Sequence, residues 1–223
     1  MTQSPSNSLR RALVFAVAVL IVRVMAEVVA GYRNYFPADF SSDFLNGREG
    51  YFYGAYQWAF YPHIASGPVS LLLGLLLVSD TFRARLPLWH RRFGRIHAVG
   101  ILFVVAPSGL WMAYYTTVGT SAAISFAILA VLTGMCSALG WRAAVSRRFN
   151  DHRLWMLRCF VLLCSAVMLR VFGGLGTVLE VKSLWFDPVV SWVSWLLPLV
   201  TFELLNARKS GSRRGAAASA TPP

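Results

Sequence analysis

The sequence predicts an all-α polytopic membrane protein with six transmembrane helices. Six stretches of about 20 or more mostly apolar residues are each long enough to cross a hydrocarbon core of about 30 Å as a helix. The 223-residue chain is 57% hydrophobic and only 13% charged, which is too apolar for a soluble domain of this size. Arginine is concentrated in every second gap between the stretches. The stretches are 11–31, 54–78, 96–117, 121–141, 154–177 and 188–205.

The first three spans carry residues that shape the predicted bundle. The span 11–31 is interpreted as a retained helix, because its apolar run is longer than that of a signal peptide and is interrupted by Arg23 and Glu27. Pro68 and Pro107 interrupt the second and third spans, and at a rise of about 1.5 Å per residue both fall near mid-membrane. Two facing kinks at these prolines would open a cavity inside the bundle.

The last three spans carry packing and capping signals. Asp151 and Asp187 lie at the starts of the fifth and sixth spans, where a carboxylate accepts hydrogen bonds from free backbone N–H groups. Pro188 suits the first helical position after Asp187. The fourth span has a ridge of small residues suited to close helix packing, formed by Ala130, Gly134 and Ala138.

Basic residues divide the loops into two sets. One set of connections and both termini hold clusters of arginine, whereas the opposite loops hold only Arg33, Arg48 and Lys182. By the positive-inside rule, both termini lie in the cytoplasm and the chain is a multi-pass protein of the bacterial inner membrane. The predicted organisation is a cytoplasmic tail over 1–9, a six-helix transmembrane domain over 10–207 and a disordered basic tail over 208–223.

The longest of the predicted outer loops, 32–53, is rich in tyrosine and phenylalanine. Aromatic side chains gather where a membrane meets water, so an interfacial belt is the expected role of this loop. A lid over a pocket that opens to the outside is the alternative interpretation.

Composition narrows the classes of function. The net charge of +12 is explained by arginines that contact anionic lipid headgroups, and no basic soluble domain is present to bind nucleic acid. The three cysteines fall inside spans and are interpreted as packing residues. The sequence contains no nucleophile motif, P-loop, dinucleotide-binding motif or carboxylate pair, so it identifies no catalytic residue and leaves an enzymatic role open. The expected partners are membrane lipids with anionic headgroups.

Ionisable residues inside the spans are the first group of candidate functional residues. Each costs roughly 2.5–3.5 kcal/mol at the centre of a membrane helix, so each needs a partner or a function. Glu27, His63 and Arg170 fall at similar depth in the outer half of the membrane, and Arg23 lies one turn from Glu27. We expect Glu27, His63 and Arg170 to face the bundle interior, with a direct or water-bridged contact between at least two of them.

Histidine and arginine on the cytoplasmic side form the second group. His90 precedes the third span and His152 opens the fifth, and each is followed directly by an arginine. Positive-inside anchoring explains the arginines but not the histidines, which contribute little to topology. The pattern predicts a shallow cytoplasmic pocket for an anionic ligand, a lipid headgroup or a cofactor. Its predicted residues are His90, Arg95, His152, Arg153 and Arg158.

Two other functions remain open. One is a membrane electron-transfer protein that binds quinone or haem b, with His63, His90 or His152 as an iron ligand. His63 has no histidine at its own depth, although Met112 or Met168 would serve as its second ligand. The other is a small transporter, which a central kinked cavity would fit but which no internal repeat supports.

Three parts of the chain form a spaced pattern. They are Tyr61-Pro62-His63-Ile64 with Gly74, His90-Arg91-x-x-Gly94-Arg95, and His152-Arg153-x-Trp155-Met156-x-Arg158 with Arg170. Together they resemble the bacterial family of predicted membrane proteins known as DUF2306, over a family-like core of 61–174. The resemblance implies a multi-helix inner-membrane protein whose functional or structural weight falls on the histidines and arginines of this pattern, and it implies no reaction. The chain differs from the family pattern at His97, where the family favours an aromatic residue.

The charge asymmetry predicts the orientation of the chain in the membrane. Reporter fusions within 85–92 and 147–151 and at the C-terminus should report a cytoplasmic location, whereas fusions within 40–46 and 179–184 should report the opposite side. A cytoplasmic signal from the fusion within 40–46 would contradict the six-span arrangement.

Overall fold

Six membrane-length helical segments build the protein, which confirms the predicted fold class. The computed structural model describes residues 5–42, 44–181 and 183–219, and no β-strand occurs in these ranges. Lys182, whose charge entered the topology prediction, lies outside the described residues. The candidate spans are Ala12–Asn34, Glu49–Leu77, Pro87–Tyr114, Thr120–Val145, Phe149–Val178 and Phe186–Arg208.

Several of the spans are built from two helices in series. The helices are, in chain order, α1 (Pro5–Ala30), α2 (Glu49–Tyr51), α3 (Gln57–Leu77), α4 (Asp80–Arg85), α5 (Pro87–Gly100), α6 (Ala106–Tyr114), α7 (Thr120–Val145), α8 (Phe149–Leu163), α9 (Ser165–Val178) and α10 (Phe186–Ser219). A π-helical segment, Ile101–Val105, joins α5 to α6 directly before Pro107. Proline has no N–H to donate, so the helix changes its pitch where Pro107 interrupts the hydrogen-bond ladder. Helix α3, by contrast, continues through Pro68.

The bundle has two ends that differ in chemistry. An ion pair of 3.1 Å between Arg153 and Asp80 links the starts of α8 and α4 at one end, and a hydrogen bond from Arg48 to Thr117 links two loops at the other. We call the first the arginine end and the second the loop end. The arginine end carries the connections 78–86 and 146–148, and the loop end carries the connections 31–48, 115–119 and 179–185.

Small side chains let α7 pack closely against α6 and α8. A Cβ atom added at Gly134 would lie 3.3 Å from the Cβ atom of Ala106 on α6, so the two backbones are nearly in contact there. Of the ridge predicted on this helix, Ala138 is exposed instead of packed. Gly140 provides the contact with α8, because a Cβ atom there would lie 2.6 Å from the sulfur of Met156. Near the arginine end, the close contact is therefore made by Gly140 instead of the predicted Ala138.

The loop between α1 and α3, which we expected to form an interfacial belt, folds inward and packs several of its aromatic side chains against one another. Leu45, Phe52 and Phe60 are buried, and the two phenylalanine rings meet edge to face with centroids 5.4 Å apart. Hydrogen bonds from the Ser41 hydroxyl and backbone N–H shape a turn and hold the pKa of Asp39 below its ordinary value. We call this cluster the aromatic cap; its residues are Tyr35, Phe40, Phe44, Leu45, Tyr51, Phe52, Tyr56 and Phe60.

The C-terminal helix is longer than the last predicted span. Helix α10 begins at Phe186 and ends at Ser219, so the backbone is helical over residues 208–219 of the tail that we expected to be disordered. Alanine and arginine, which are frequent in this segment, both favour helix. Residues 220–223 lie outside the described residues.

Gly74 is the position at which α3 tolerates least added volume. A Cβ atom there would lie 2.8 Å from the Phe160 ring and 3.4 Å from the His97 ring. We expect Gly74→Ala to lower the free energy of unfolding by roughly 1–3 kcal/mol, because a packed phenyl ring has to move. Thermal denaturation in detergent, followed by circular dichroism, measures the change.

Gly100→Ala is the matched control for this experiment. Gly100 also lies in a transmembrane helix, and no atom lies within 4 Å of a Cβ atom added there. The variant should be unchanged or more stable by up to about 1 kcal/mol, because alanine favours helix over glycine. Equal losses of stability in the two variants would contradict the close packing at Gly74.

Candidate functional site

A cavity of about 320 Å³ lies beneath the aromatic cap, in the half of the bundle next to the loop end. Pro68 and Ala106 line it, so the cavity expected between the proline-containing second and third spans is present. Its walls are mostly apolar, and four aromatic side chains of the cap contribute to them. We call it the cap cavity. Its polar lining residues are Tyr32, Tyr35, Arg48, Tyr56, His63, Thr116, Thr133, Ser165 and Arg170.

His63 enters the cap cavity from α3 and is held by Ser108 of α6. The Nδ1 and Oγ atoms of these two side chains are 3.1 Å apart. The Ser108 hydroxyl donates its single hydrogen to the carbonyl oxygen of Val104, at 2.5 Å. Its oxygen therefore accepts from the Nδ1–H of His63. This bond fixes the orientation of the imidazole and leaves Nε2 as the ring nitrogen that remains for a ligand.

Arg48 reaches the cavity from the loop that precedes α2, and it is only 7% exposed. Its guanidinium donates to the carbonyl oxygen of Phe44 and, at 3.4 Å, to the hydroxyl of Thr117. It also lies 4.6 Å from the centre of the Phe44 ring. Its Nε atom is buried without a hydrogen-bond partner, and among the described residues no carboxylate pairs with it. The positive charge is therefore held by neutral groups only.

Arg170 lines the same cavity from α9, one turn beyond Ala166. Both side chains are exposed as well as lining the cavity, so the cavity opens to the outside of the bundle along this helix. The charge of Arg170 acts on the phenol of Tyr32, whose hydroxyl donates to the carbonyl oxygen of Ile64. Within the described part of the chain, no ion pair neutralises Arg170.

Arg23 and Glu27 lie away from this site, and the expectation that Glu27 faces the bundle interior is wrong. The two side chains pair with each other at 3.1 Å and are 79% and 65% exposed. Ile21, Val24 and Met25, which pack into the core, occupy the other side of α1. The apolar residues of α1 therefore turn the charged pair outward. Of the predicted intramembrane cluster, the structure brings His63 and Arg170 to one cavity.

At the arginine end, His90 and His152 come close enough to interact electrostatically. The Nδ1–H of His152 donates to the carbonyl oxygen of Gly140, at 2.8 Å. The Nδ1 atom of His90 is buried and has no partner. His97 is 2% exposed and lies deeper, against Gly74.

The arginines predicted to surround these histidines are largely engaged elsewhere. Arg153 pairs with Asp80 at 3.1 Å. Arg158 forms a two-pronged ion pair with Glu203 of α10, in which the N–O distances are 2.6 and 3.0 Å. Arg95 is exposed. Two of the three predicted anion-binding arginines at this end are thus already neutralised by carboxylates.

The sequence that forms these helices matches a known family of membrane proteins. The family model described as "Predicted membrane protein (DUF2306)" matches residues 60–206, which is more than half of the chain. The chain belongs to the DUF2306 family. The matched region is longer than the family-like core of 61–174 and includes α10 with its Glu203. Comparisons with curated proteins and with solved structures gave no match.

Sequence reasoning missed Arg48 and the tyrosines of the cap cavity as site residues. The signal for Arg48 was present, because it is one of three basic residues that break the charge asymmetry of the loops. Tyr32 was interpreted as an interfacial aromatic, and Tyr56, which falls in the second predicted span, was not singled out. Both line the same cavity as His63, an arrangement that no local pattern encodes.

The ion pair between Arg158 and Glu203 should contribute to stability because both residues lie inside candidate spans. Arg158→Leu leaves the Glu203 carboxylate unpaired inside a candidate span, and we expect a loss of about 3 kcal/mol in the free energy of unfolding. Arg153→Leu removes an exposed pair at the arginine end and should cost no more than about 1 kcal/mol.

The double variant Arg158→Leu/Glu203→Leu separates pairing from packing. It should recover most of the loss of the single variant, because no unpaired charge remains. Thermal denaturation in detergent compares the three variants. If the double variant is as unstable as Arg158→Leu, the two side chains stabilise the protein by packing and not by their ion pair.

Proposed function

We propose that this protein binds an amphipathic ligand with an anionic head group in the cap cavity. The observation that carries the proposal is the charge of the lining. Arg48, His63 and Arg170 are the titratable nitrogen bases of the cavity, and no acidic residue of the described chain lines it. An anion would supply the charge that the protein leaves unmatched.

The excess of positive charge in the cavity is energetically important because Arg48 is buried. A charge taken out of water without a partner is strongly destabilising, and the hydrogen bonds of Arg48 go to neutral oxygens. Guanidinium groups present planar pairs of donors that match phosphate and carboxylate oxygens. The free Nε2 atom of His63 and the Tyr32 phenol add groups that can donate to or accept from a head group.

The apolar lining and the opening of the cavity indicate that the ligand also carries a hydrocarbon tail. A volume of about 320 Å³ is at the lower end of the range of about 300–1,000 Å³ for small-molecule sites, so a head group and the start of a tail fill it. The opening beside Ala166 and Arg170 lies within a membrane span. A hydrocarbon tail can therefore extend into the bilayer while its head group remains in the cavity.

The orientation proposed here follows the arginines of the loops. We place the arginine end in the cytoplasm of a bacterial cell and the chain in its inner membrane, with both termini cytoplasmic. The ligand would then come from the outer leaflet. The anionic ligand that the sequence placed near His90 and His152 is thus moved to the other end of the bundle, because Arg153 and Arg158 are paired with carboxylates.

The alternative ligand is a haem or a quinone. His63 and Met112 both line the cap cavity, and these are residue types that ligate haem iron. No cluster of three or more metal-binding side chains occurs in the described ranges. We expect purified protein to be colourless. A Soret band that is lost in His63→Ala would identify haem as the ligand instead of an anionic lipid. A quinone in the extracted lipid would identify quinone as the ligand.

Native mass spectrometry tests the proposal with two lipids that share acyl chains, phosphatidylglycerol and phosphatidylcholine. Phosphatidylglycerol should bind at least about tenfold more tightly. Both lipids carry an anionic phosphate, but the choline cation of phosphatidylcholine would lie beside the positive charges of Arg48 and Arg170. Arg170→Gln should remove this preference.

Arg33→Gln is the matched control, since Arg33 is an exposed arginine at the same end that does not line the cavity. It should bind phosphatidylglycerol like the unmodified protein. Equal affinity for the two lipids, or equal losses in Arg170→Gln and Arg33→Gln, would contradict the proposal.

A further inference from the structure

Helix α1 carries a charged face that points away from the rest of the protein. Arg23 and Glu27 lie on it, and about 100° of rotation per residue places them about 130° around the helix from the core-facing residues Ile21, Val24 and Met25. Arg23 is near the middle of the span Ala12–Asn34. In a single copy of the chain, both charges would therefore face hydrocarbon.

Charged side chains inside a membrane almost always face protein or a water-filled cavity. The Arg23–Glu27 pair contacts neither, since α1 lines the cap cavity with its opposite side, through Met25 and Val28. The bond within the pair neutralises the net charge but leaves most donors and acceptors open to lipid. A further protein surface is needed to cover them.

We propose that this face of α1 is the interface of a homodimer, in which two copies are related by a two-fold axis along the membrane normal. Arg23 of one copy then pairs with Glu27 of the second copy, and Glu27 with Arg23 in return. A face with one arginine and one glutamate a single turn apart is complementary to itself under this symmetry. This match of charges selects a second copy as the occupant.

The residues around the pair allow the two helices to approach. Ala16 and Ala30 lie on the same face one to two turns away, and both are exposed. Small side chains on the facing surface let transmembrane helices approach closely, which brings the charged side chains of the two copies within reach of each other. Among the candidate spans of the described residues, the first buries the smallest share of its apolar window, 17%, so the outer surface of α1 is free for this contact.

Disulfide cross-linking in native membranes tests the face directly. Ala30→Cys should give a band at twice the chain mass of 24.7 kDa on a non-reducing gel after oxidation. Val22→Cys is the control, because Val22 is an exposed residue of the same helix that lies off the proposed face. The unmodified chain, with Cys136 and Cys159 buried, sets the background. Equal cross-linking of the two variants, or none in either, overturns the proposal.

Charge reversal tests the reciprocal pairing. Two differently tagged copies of Arg23→Glu should co-purify roughly tenfold less than unmodified copies, and Glu27→Arg should behave alike, because like charges then meet across the axis. Arg23→Glu co-expressed with Glu27→Arg should restore co-purification. Co-purification that neither reversal lowers, or that the combination fails to restore, overturns the ion-pair interface. If a reversed variant does not accumulate, the cross-linking comparison in the otherwise unmodified chain decides.

Discussion

The cost of holding charge where there is no water is the constraint on which this structure depends. Inside the spans, Arg158 meets Glu203 from a different helix and the two oxygens of the carboxylate receive its N–H groups. This bond ties α10 to α8, which are distant in sequence. Arg48 instead takes carbonyl and hydroxyl oxygens, and an aromatic ring, as neutral partners. The two arrangements differ in net charge. The carboxylate neutralises Arg158, whereas the neutral partners of Arg48 leave its positive charge unmatched.

The arginine end and the loop end differ in how their positive charges are matched. At the arginine end, carboxylates neutralise some of the arginines: Asp80 pairs with Arg153, and Asp151 pairs with Arg148. The cavity at the loop end has basic groups without acidic ones. Under the proposed orientation and function, the many arginines of the first group anchor the chain, while the few of the second bind the ligand. Abundance of a residue type was therefore a poor guide to the site.

The sequence was sufficient for the spans because their signal is local. Length and hydropathy define each helix, and the six predicted stretches agree with the structure to within a few residues at most ends. Depth was also partly predictable, since His63 and Arg170 were placed at one level and do line one cavity. Rotation about the helix axis was not. The direction in which Glu27 points depends on which face of α1 meets the core, and that face is chosen by contacts with residues far along the chain. The inward fold of the loop that carries Arg48 is a non-local feature of the same kind.

The boundary of the family match divides the cap cavity into two parts of different origin in the chain. His63 and Arg170 lie inside the matched region 60–206, whereas Tyr32, Arg48 and Tyr56 precede it. The helices of the matched region thus form the base of the cavity and the N-terminal segment forms a separate cover, much like an enzyme scaffold that carries a loop over its site. Selectivity could then change by altering the cover alone, without any repacking of the five helices beneath it.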